Sequence, residues 1–514
     1  MHQKFCNISR NGLTLTDSIF YLWVLYSALH LCFTSSGFEG VYPYCCVLLC
    51  YLFARHLNNR SIVFIGIACL GIWQAGIAIG QNFGWVDSNH RLFDVTGSFG
   101  NPGPLGGFLS ISIIVSIYLW NHLKRKFTAA FIVLIVIQFY ALYLSDSRAG
   151  WMSVITGVAM LRFLNKKNFS LNFRKVGILL LLVVVILSGM YMYRPHSANG
   201  RFLIWKVTLS MIADKPIFGY GTNGFSKNYM YYQAQYFNAN PDSSFLQYSD
   251  NIAYPYNEFL RILVEQGIVG LILILGVLIS ALMSKTNNNE LKAVVCGYLT
   301  FAQFSYPSYV PGLLILFPLL IASVQSTSYV VYIPRTYQYI FILFTILLIV
   351  YVGREGLFRI KCRQIIPQLF SENQLKESNA NHFAETYYHR LLNYPSMADL
   401  YGQYVYMKKN SNDAIKVLND IKNIVPTSEI YCDLGDLYKA CNHLQKAKDC
   451  YQISHTMVPR RLTPVYKMFD LYREIDDTTS AREYARKALQ VPVQIEGTRS
   501  IRMKTEMQQY LNLN

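Results

Sequence analysis

Stretches of about twenty apolar residues recur along the first two thirds of the chain, parted by short polar links. A helix of that length spans the hydrocarbon of a bilayer, where helices and closed barrels alone satisfy every backbone polar group. Such runs start near Ser18, Phe38, Ser61, Gly103, Phe127, Gly150, Val176, Gly267, Leu291, Pro311 and Tyr339. The expected fold is therefore all-α. A polytopic transmembrane helical bundle of about 11 spans is predicted over residues 1–353, followed by a soluble α-helical repeat domain over 354–514.

The charges agree with that division. Residues 1–353 hold 23 Lys/Arg and 11 Asp/Glu, whereas the much shorter 354–514 holds 23 and 18. The net charge of +17 is not a nucleic-acid signal, because the cations of the first part lie in alternate links. Lys4 and Arg10, Arg55 and Arg60, Lys124–Lys126, Arg162–Lys175, Lys285 and Lys292, and Arg335 mark one side. Thr34–Gly37, Gly80–Asn101, Ser145–Arg148 and Tyr306–Val310 mark the cation-poor other side. Cations stay cytoplasmic in such proteins. A cytoplasmic N-terminus follows and, through eleven spans, an extracytoplasmic C-terminal domain. No small-residue cleavage site follows the first run, so it reads as a span and not as a leader.

Residues 193–257 form the one long link, expected outside, and long connections tend to carry function. Tyr229, Tyr231, Tyr232, Tyr236, Phe237, Phe245, Tyr248, Tyr254 and Tyr256 lie in it. These rings suit stacking on sugars and equally an aromatic belt at the membrane surface. Further on, Tyr404, Tyr438 and Tyr472 are spaced by 34, as are Ala447 and Ala481, and Pro426, Pro459 and Pro492 by 33. With Leu434-Gly435 and Tyr451 this resembles the tetratricopeptide pattern, whose arrays take protein partners on a concave face. Cys432, Cys441 and Cys450 read as buried free thiols, or as a disulfide if the domain is extracytoplasmic.

Gly219-Tyr220-Gly221-Thr222-Asn223-Gly224 spells a dinucleotide fingerprint, but no apolar strand precedes it and a βαβ context is missing, so it reads as a turn-rich link. The remaining polar groups fall at span boundaries, where ionisable residues are functional candidates. They are Phe99-Gly100-Asn101-Pro102; Ser147-Arg148-Ala149-Gly150-Trp151; Gly200-Arg201 with Ile204-Trp205; Pro216-Ile217-Phe218-Gly219-Tyr220-Gly221; and Asn257-Glu258-Phe259-Leu260 with Glu265-Gln266-Gly267-Ile268-Val269-Gly270. Each alone has a bland reading: Arg148 snorkels, Glu258 caps a helix.

In this order, over about residues 90–275, they resemble the family of O-antigen ligases, O-antigen polymerases and bacterial protein O-oligosaccharyltransferases. The resemblance implies a metal-independent, inverting glycosyltransferase of the bacterial inner membrane, with no cofactor. It would move a glycan from a polyprenyl (undecaprenyl) diphosphate carrier to a hydroxyl on a lipid (lipid A core), a glycan or a protein Ser/Thr. It also implies Arg148 and Arg201 as the diphosphate-binding pair, suited to bidentate contact. Many ligases of the family have His directly before the Asn that aligns with Asn257, and here Tyr256 stands there. A phenol of ordinary pKa about 10 is a poor base. Glu258, Asp250 or His196 is expected to substitute, Glu258 first, or Tyr256 binds the acceptor sugar. Asn257 and Asn101 complete the candidates. Within the family, polymerisation of repeat units competes with ligation. Outside it stand a lipid-linked oligosaccharide transporter, opposed by the scarcity of ionisable residues within the runs, and a membrane-anchored scaffold working through its repeats.

Overall fold

The computed structural model describes residues 13–33, 40–57, 59–90, 92–122, 128–164, 195–284, 289–325, 335–491 and 497–513. All regular structure among them is helical. The apolar run near Val176 lies outside them, as do Lys4, Arg10 and Lys124–Lys126. Three described helices are long and apolar enough to cross a membrane, Ser61–Asn82, Pro102–His122 and Glu258–Met283, and Thr128–Leu144 and Pro311–Val324 are shorter apolar helices. They mark a membrane protein. The chain divides into two compact units, the second drawing residues from within the first's sequence range and from beyond its C-terminal end.

The first unit holds the described residues up to Leu164 together with 217–221 and 255–353. Helix Pro102–His122 is its axis, with Ser61–Asn82, Thr128–Leu144, Arg148–Leu164 and Leu291–Gln303 packed around it. Lipid is as apolar as leucine, so such helices associate by close packing and interhelical hydrogen bonds. Small residues provide the first. A Cβ on Gly107 would fall 2.1 Å from the Phe301 ring, and one on Gly157 would fall 2.3 Å from Ile114. Hydroxyls provide the second: Ser110 Oγ donates to Ser153 Oγ (3.0 Å), which donates to the Gly297 carbonyl (2.8 Å).

Helix Glu258–Met283 is broken at Gly267, which takes φ +65°. That break frees two carbonyls, and the 217–221 segment fills them. Tyr220 N donates to Val264 O (2.7 Å) and Gly221 N to Glu265 O (2.9 Å). The segment lies so close that a Cβ on Gly267 would fall 2.1 Å from the Ile217 carbonyl oxygen, and one on Gly219 (φ +73°) would fall 2.5 Å from that of Val264. The glycine-rich run read as a turn is thus a backbone splint for a membrane helix.

The second unit holds 194–216, 222–254 and 354–514, less the residues outside the described set. The long link is not irregular: it folds as helices Pro195–Asp214 and Gly224–Ala239 and a 3-10 turn, Leu246–Tyr248. Tyr229 and Phe237 are buried in its own packing, a role that neither sugar stacking nor a membrane belt describes. The C-terminal region forms three helix pairs: Pro395–Lys408 with Ser411–Lys422, Ser428–Ala440 with Leu444–Met457, and Leu462–Glu474 with Thr478–Gln490. Repeating small residues let the paired helices touch. A Cβ on Gly435 would fall 2.4 Å from the Tyr451 ring, and Ala447 and Ala481 are wholly buried. Cys432, Cys441 and Cys450 are free thiols.

Two predictions follow from the packing. Gly267→Ala places a methyl into a backbone and forces a left-handed L-residue, each costing on the order of 1–3 kcal/mol. Its yield of folded, detergent-soluble protein should fall sharply, whereas Gly353→Ala, with open space around it, should behave as wild type. The second concerns pH. Burial and the neighbouring Asp436 and Asp399 carboxylates push Asp433 up to about 7. The folded state therefore holds that proton more tightly, and the stability it contributes is lost as pH rises from about 4 to 7. Burial, with Lys487 nearby, pushes His455 down to about 4, so its contribution is lost as pH falls from about 6.5 toward 4. The two oppose each other. Hydrogen exchange of residues 428–474 in the intact chain should show protection rising with pH in Asp433→Asn and falling with pH in His455→Phe.

Candidate functional site

The described cation-poor links of the first unit, around Thr96–Asn101, Ser145–Arg148 and Tyr306–Val310, gather at one end. Gln81 Oε1, at the end of helix Ser61–Asn82, accepts from Thr96 N (2.9 Å) and Gly97 N (2.8 Å). Beyond them Gly106 lies against Ser147, where a Cβ would meet that side chain at 2.1 Å, and Gly312 lies against Phe99. Asn257 Nδ2 donates to Gln303 Oε1 (3.1 Å), at the end of the helix whose Phe301 covers Gly107. Asn101, Ser147-Arg148 and Tyr256-Asn257-Glu258, remote in sequence, thus share this end.

Three helices begin there: Pro102–His122, Arg148–Leu164 and Glu258–Met283. Their positive dipole ends favour an anion. Asn101 Oδ1 accepts from Gly103 N (2.9 Å), and Arg148 is the first residue of its helix. Asn257 is an N-cap, its Oδ1 accepting from Phe259 N (3.0 Å) and Leu260 N (3.1 Å). Tyr256, just outside that cap, holds φ +52° and sets its ring edge-on to Tyr306 at 5.3 Å.

Glu258 is not a solitary acid. Arg261 Nε donates to its Oε2 (2.6 Å), Ser308 Oγ donates to the same oxygen (2.7 Å), and Ser308 N donates to Oε1 (3.1 Å). One turn on, Arg261 NH1 donates to Glu265 Oε2 (2.6 Å) and the Tyr309 hydroxyl donates to Glu265 Oε1 (3.2 Å). Both carboxylates are buried, and one guanidinium serves them both. Glu258 so held anchors the 304–310 link to the head of its helix, and taking a proton requires it to leave Arg261. Sequence reasoning passed over Arg261, Ser308 and Tyr309. The signal was present, since positions 258, 261 and 265 are spaced to share one helix face.

The other candidates belong to the second unit. His196 lies in the first turn of helix Pro195–Asp214, exposed, with its ring edge-on to Tyr248 at 4.7 Å. Arg201 sits half-buried on the same helix. Asp250 is held by two cations, accepting from Arg460 NH2 (2.8 Å) and Arg461 NH2 (3.1 Å). Among the described residues no three His, Cys, Asp or Glu are grouped as metal ligands.

Residues 133–275 match the family model described as O-antigen ligase. A Rickettsia conorii protein, provisionally named a polysaccharide ligase, is 30% identical over 215 residues, which are 38% of this chain and 49% of that protein. The match thus spans about half the length of that relative. The chain carries an O-antigen ligase family domain, and the matched segment contains Arg148, Arg201, Tyr256, Asn257 and Glu258.

The shared guanidinium gives a direct prediction. Arg261→Met leaves two buried carboxylates without their counter-charge, a change worth about 3–5 kcal/mol. The variant should be recovered in much lower folded yield, judged by size-exclusion profile and melting in detergent. Replacing Glu258 and Glu265 by Gln in the same chain should restore much of that yield.

Proposed function

We propose that this membrane protein is a glycosyltransferase that moves a glycan from a polyprenyl diphosphate carrier to a hydroxyl acceptor, as a polysaccharide ligase. The reaction takes place outside the bacterial inner membrane and proceeds with inversion, without a metal. The observation that carries this reading is the gathering of three helix N-termini at one end of the first unit, with Arg148 at the head of one of them, since the departing group is a diphosphate anion. Ligation is preferred to polymerisation because both the matched family model and the relative are named for it. The acceptor class is a sugar or protein hydroxyl.

The roles follow from the chemistry. Arg148 and, as the family resemblance implies, Arg201 are each assigned to diphosphate oxygens as planar, bidentate donors, and the positive dipole ends of the helices favour the charge that builds on the leaving oxygen. Asn257 keeps the helix head in place by capping it. The acceptor proton passes to Glu258 when it parts from Arg261, or to solvent as the weakly basic diphosphate departs. Tyr256 is assigned to the acceptor sugar. The tetratricopeptide-like helices are the protein-binding part.

Arg148→Lys and Arg201→Lys should each lose activity by about tenfold or more, since an ammonium does not reproduce the fork, while thermal stability stays near wild type. The measurement is transfer of a labelled polyprenyl-diphosphate glycan by the purified chain. Full activity in Arg201→Lys removes the role assigned to it. Glu258→Gln should lose one limb of the pH–rate profile if Glu258 takes the proton, and keep both limbs if it only anchors.

A further inference from the structure

Within the second unit, residues 195–216 and 222–254 supply what the C-terminal helices lack at their ends. A helix leaves its first N–H groups and its last carbonyls without partners. Asn251 Oδ1 accepts from Ser428 N (3.1 Å), at the first residue of helix Ser428–Ala440. Gln233 Nε2 donates to the Met457 carbonyl (2.6 Å), at the last residue of helix Leu444–Met457. Gln233 is wholly buried and fully engaged, for its Nε2 also reaches the Asp250 carbonyl (3.0 Å) and its Oε1 accepts from the Tyr229 hydroxyl (3.0 Å). Around these two caps stand the Asp250 carboxylate between Arg460 and Arg461, and a Tyr231–Tyr431 hydroxyl pair at 3.1 Å. Side-chain bonds to another element's backbone ends fix a register, and a sliding surface contact makes none of them.

We propose that the C-terminal helical domain is a scaffold for the chain's own 195–216 and 222–254 segments. Through helix Gly224–Ala239, which packs on helix Pro195–Asp214, it supports the helix that carries Arg201, and Asp250 and Gln233 are positioning residues of that joint. A partner protein, if the array takes one, binds elsewhere on it. A body that contains these segments and the C-terminal domain stands on one side of the bilayer, so the chain crosses the membrane an even number of times between residues 254 and 354. The cation pattern places the long link outside; the joint carries the C-terminal domain there without any count of the first spans.

The first test needs no assay of glycan transfer, so it separates this inference from the proposed reaction. A benzoyl-phenylalanine photo-crosslinker is placed at Tyr231 of the intact chain in membranes, irradiated, and its adducts mapped by peptide mass spectrometry. The expected adduct joins residue 231 to the peptide of the same chain that contains Tyr431. No adduct, or adducts to other proteins alone, overturns the joint. The second test concerns positioning and rests on the transferase reading. Asp250→Arg should lower transfer about tenfold, and adding Arg460→Asp with Arg461→Asp should restore it to within about threefold, as coupled neighbours do. Asp250→Asn should keep both limbs of the pH–rate profile. Failure of the reversed charges to restore transfer, or loss of a limb in Asp250→Asn, overturns the positioning role. A wild-type chain that transfers no glycan overturns the reaction and leaves the crosslink result standing.

Discussion

The break at Gly267 governs the arrangement of the first unit. An unpartnered backbone group in hydrocarbon costs several kcal/mol, so a broken membrane helix is stable only where other groups take its freed carbonyls. Tyr220 N and Gly221 N take those of Val264 and Glu265. Gln266, at the same turn, is held on three sides: Trp23 Nε1 donates to its Oε1 (3.0 Å), its Nε2 donates to Tyr44 (2.7 Å), and Tyr26 donates to its carbonyl (2.7 Å). The break is thus bolted to helices Leu15–Phe33 and Val41–His56, and the head of helix Glu258–Met283 keeps a fixed direction.

That fixed head allows a charge cluster to sit where it does. Glu258, Arg261 and Glu265 carry two acids for one base, all largely buried. Such an arrangement holds only where hydrogen bonds satisfy the remaining oxygens, and Ser308 and Tyr309 provide them. The excess negative charge next to a helix N-terminus is also favourable in itself. On the proposed reaction, a diphosphate approaching this end would meet helix dipoles and Arg148, while the carboxylates are held by Arg261.

Much of this was legible in the sequence, for reasons that differ by residue. The helices Ser61–Asn82 and Pro102–His122 follow directly from apolar length, and the pairs of the C-terminal region follow from Gly435, Ala447 and Ala481, since closely packed helices demand small residues at fixed spacing. The family domain was legible from five short motifs read together. Their physical meaning was not: Gly219 and Gly267 are 48 positions apart, and nothing local says that one backbone splints the other. The helical content of 195–254 was hidden because its buried face, Tyr229 with Gln233 and Phe237, reads as polar and aromatic surface when its covering helices are unknown. Asp250 looked available for the same reason, as its cations lie 210 and 211 residues away.

Tyr256 gathers the remaining tension. A non-glycine residue at φ +52° bears a strain of roughly 1–2 kcal/mol, which persists only when its surroundings over-determine it. They do: Asn257 caps the next helix by way of its own side chain, and Tyr306 meets the Tyr256 ring edge-on. This strained position is also the one at which the sequence departs from the pattern of many of the ligases it resembles, with a phenol in place of an imidazole. The hydroxyl of an ordinary tyrosine stays protonated at neutral pH and therefore donates a hydrogen bond more readily than it removes a proton. With both Glu258 oxygens occupied in the same few residues, the local chemistry favours orienting an acceptor over deprotonating it. On the proposed reaction, the driving force then comes from the leaving diphosphate, and so from the cations and helix ends proposed to receive it.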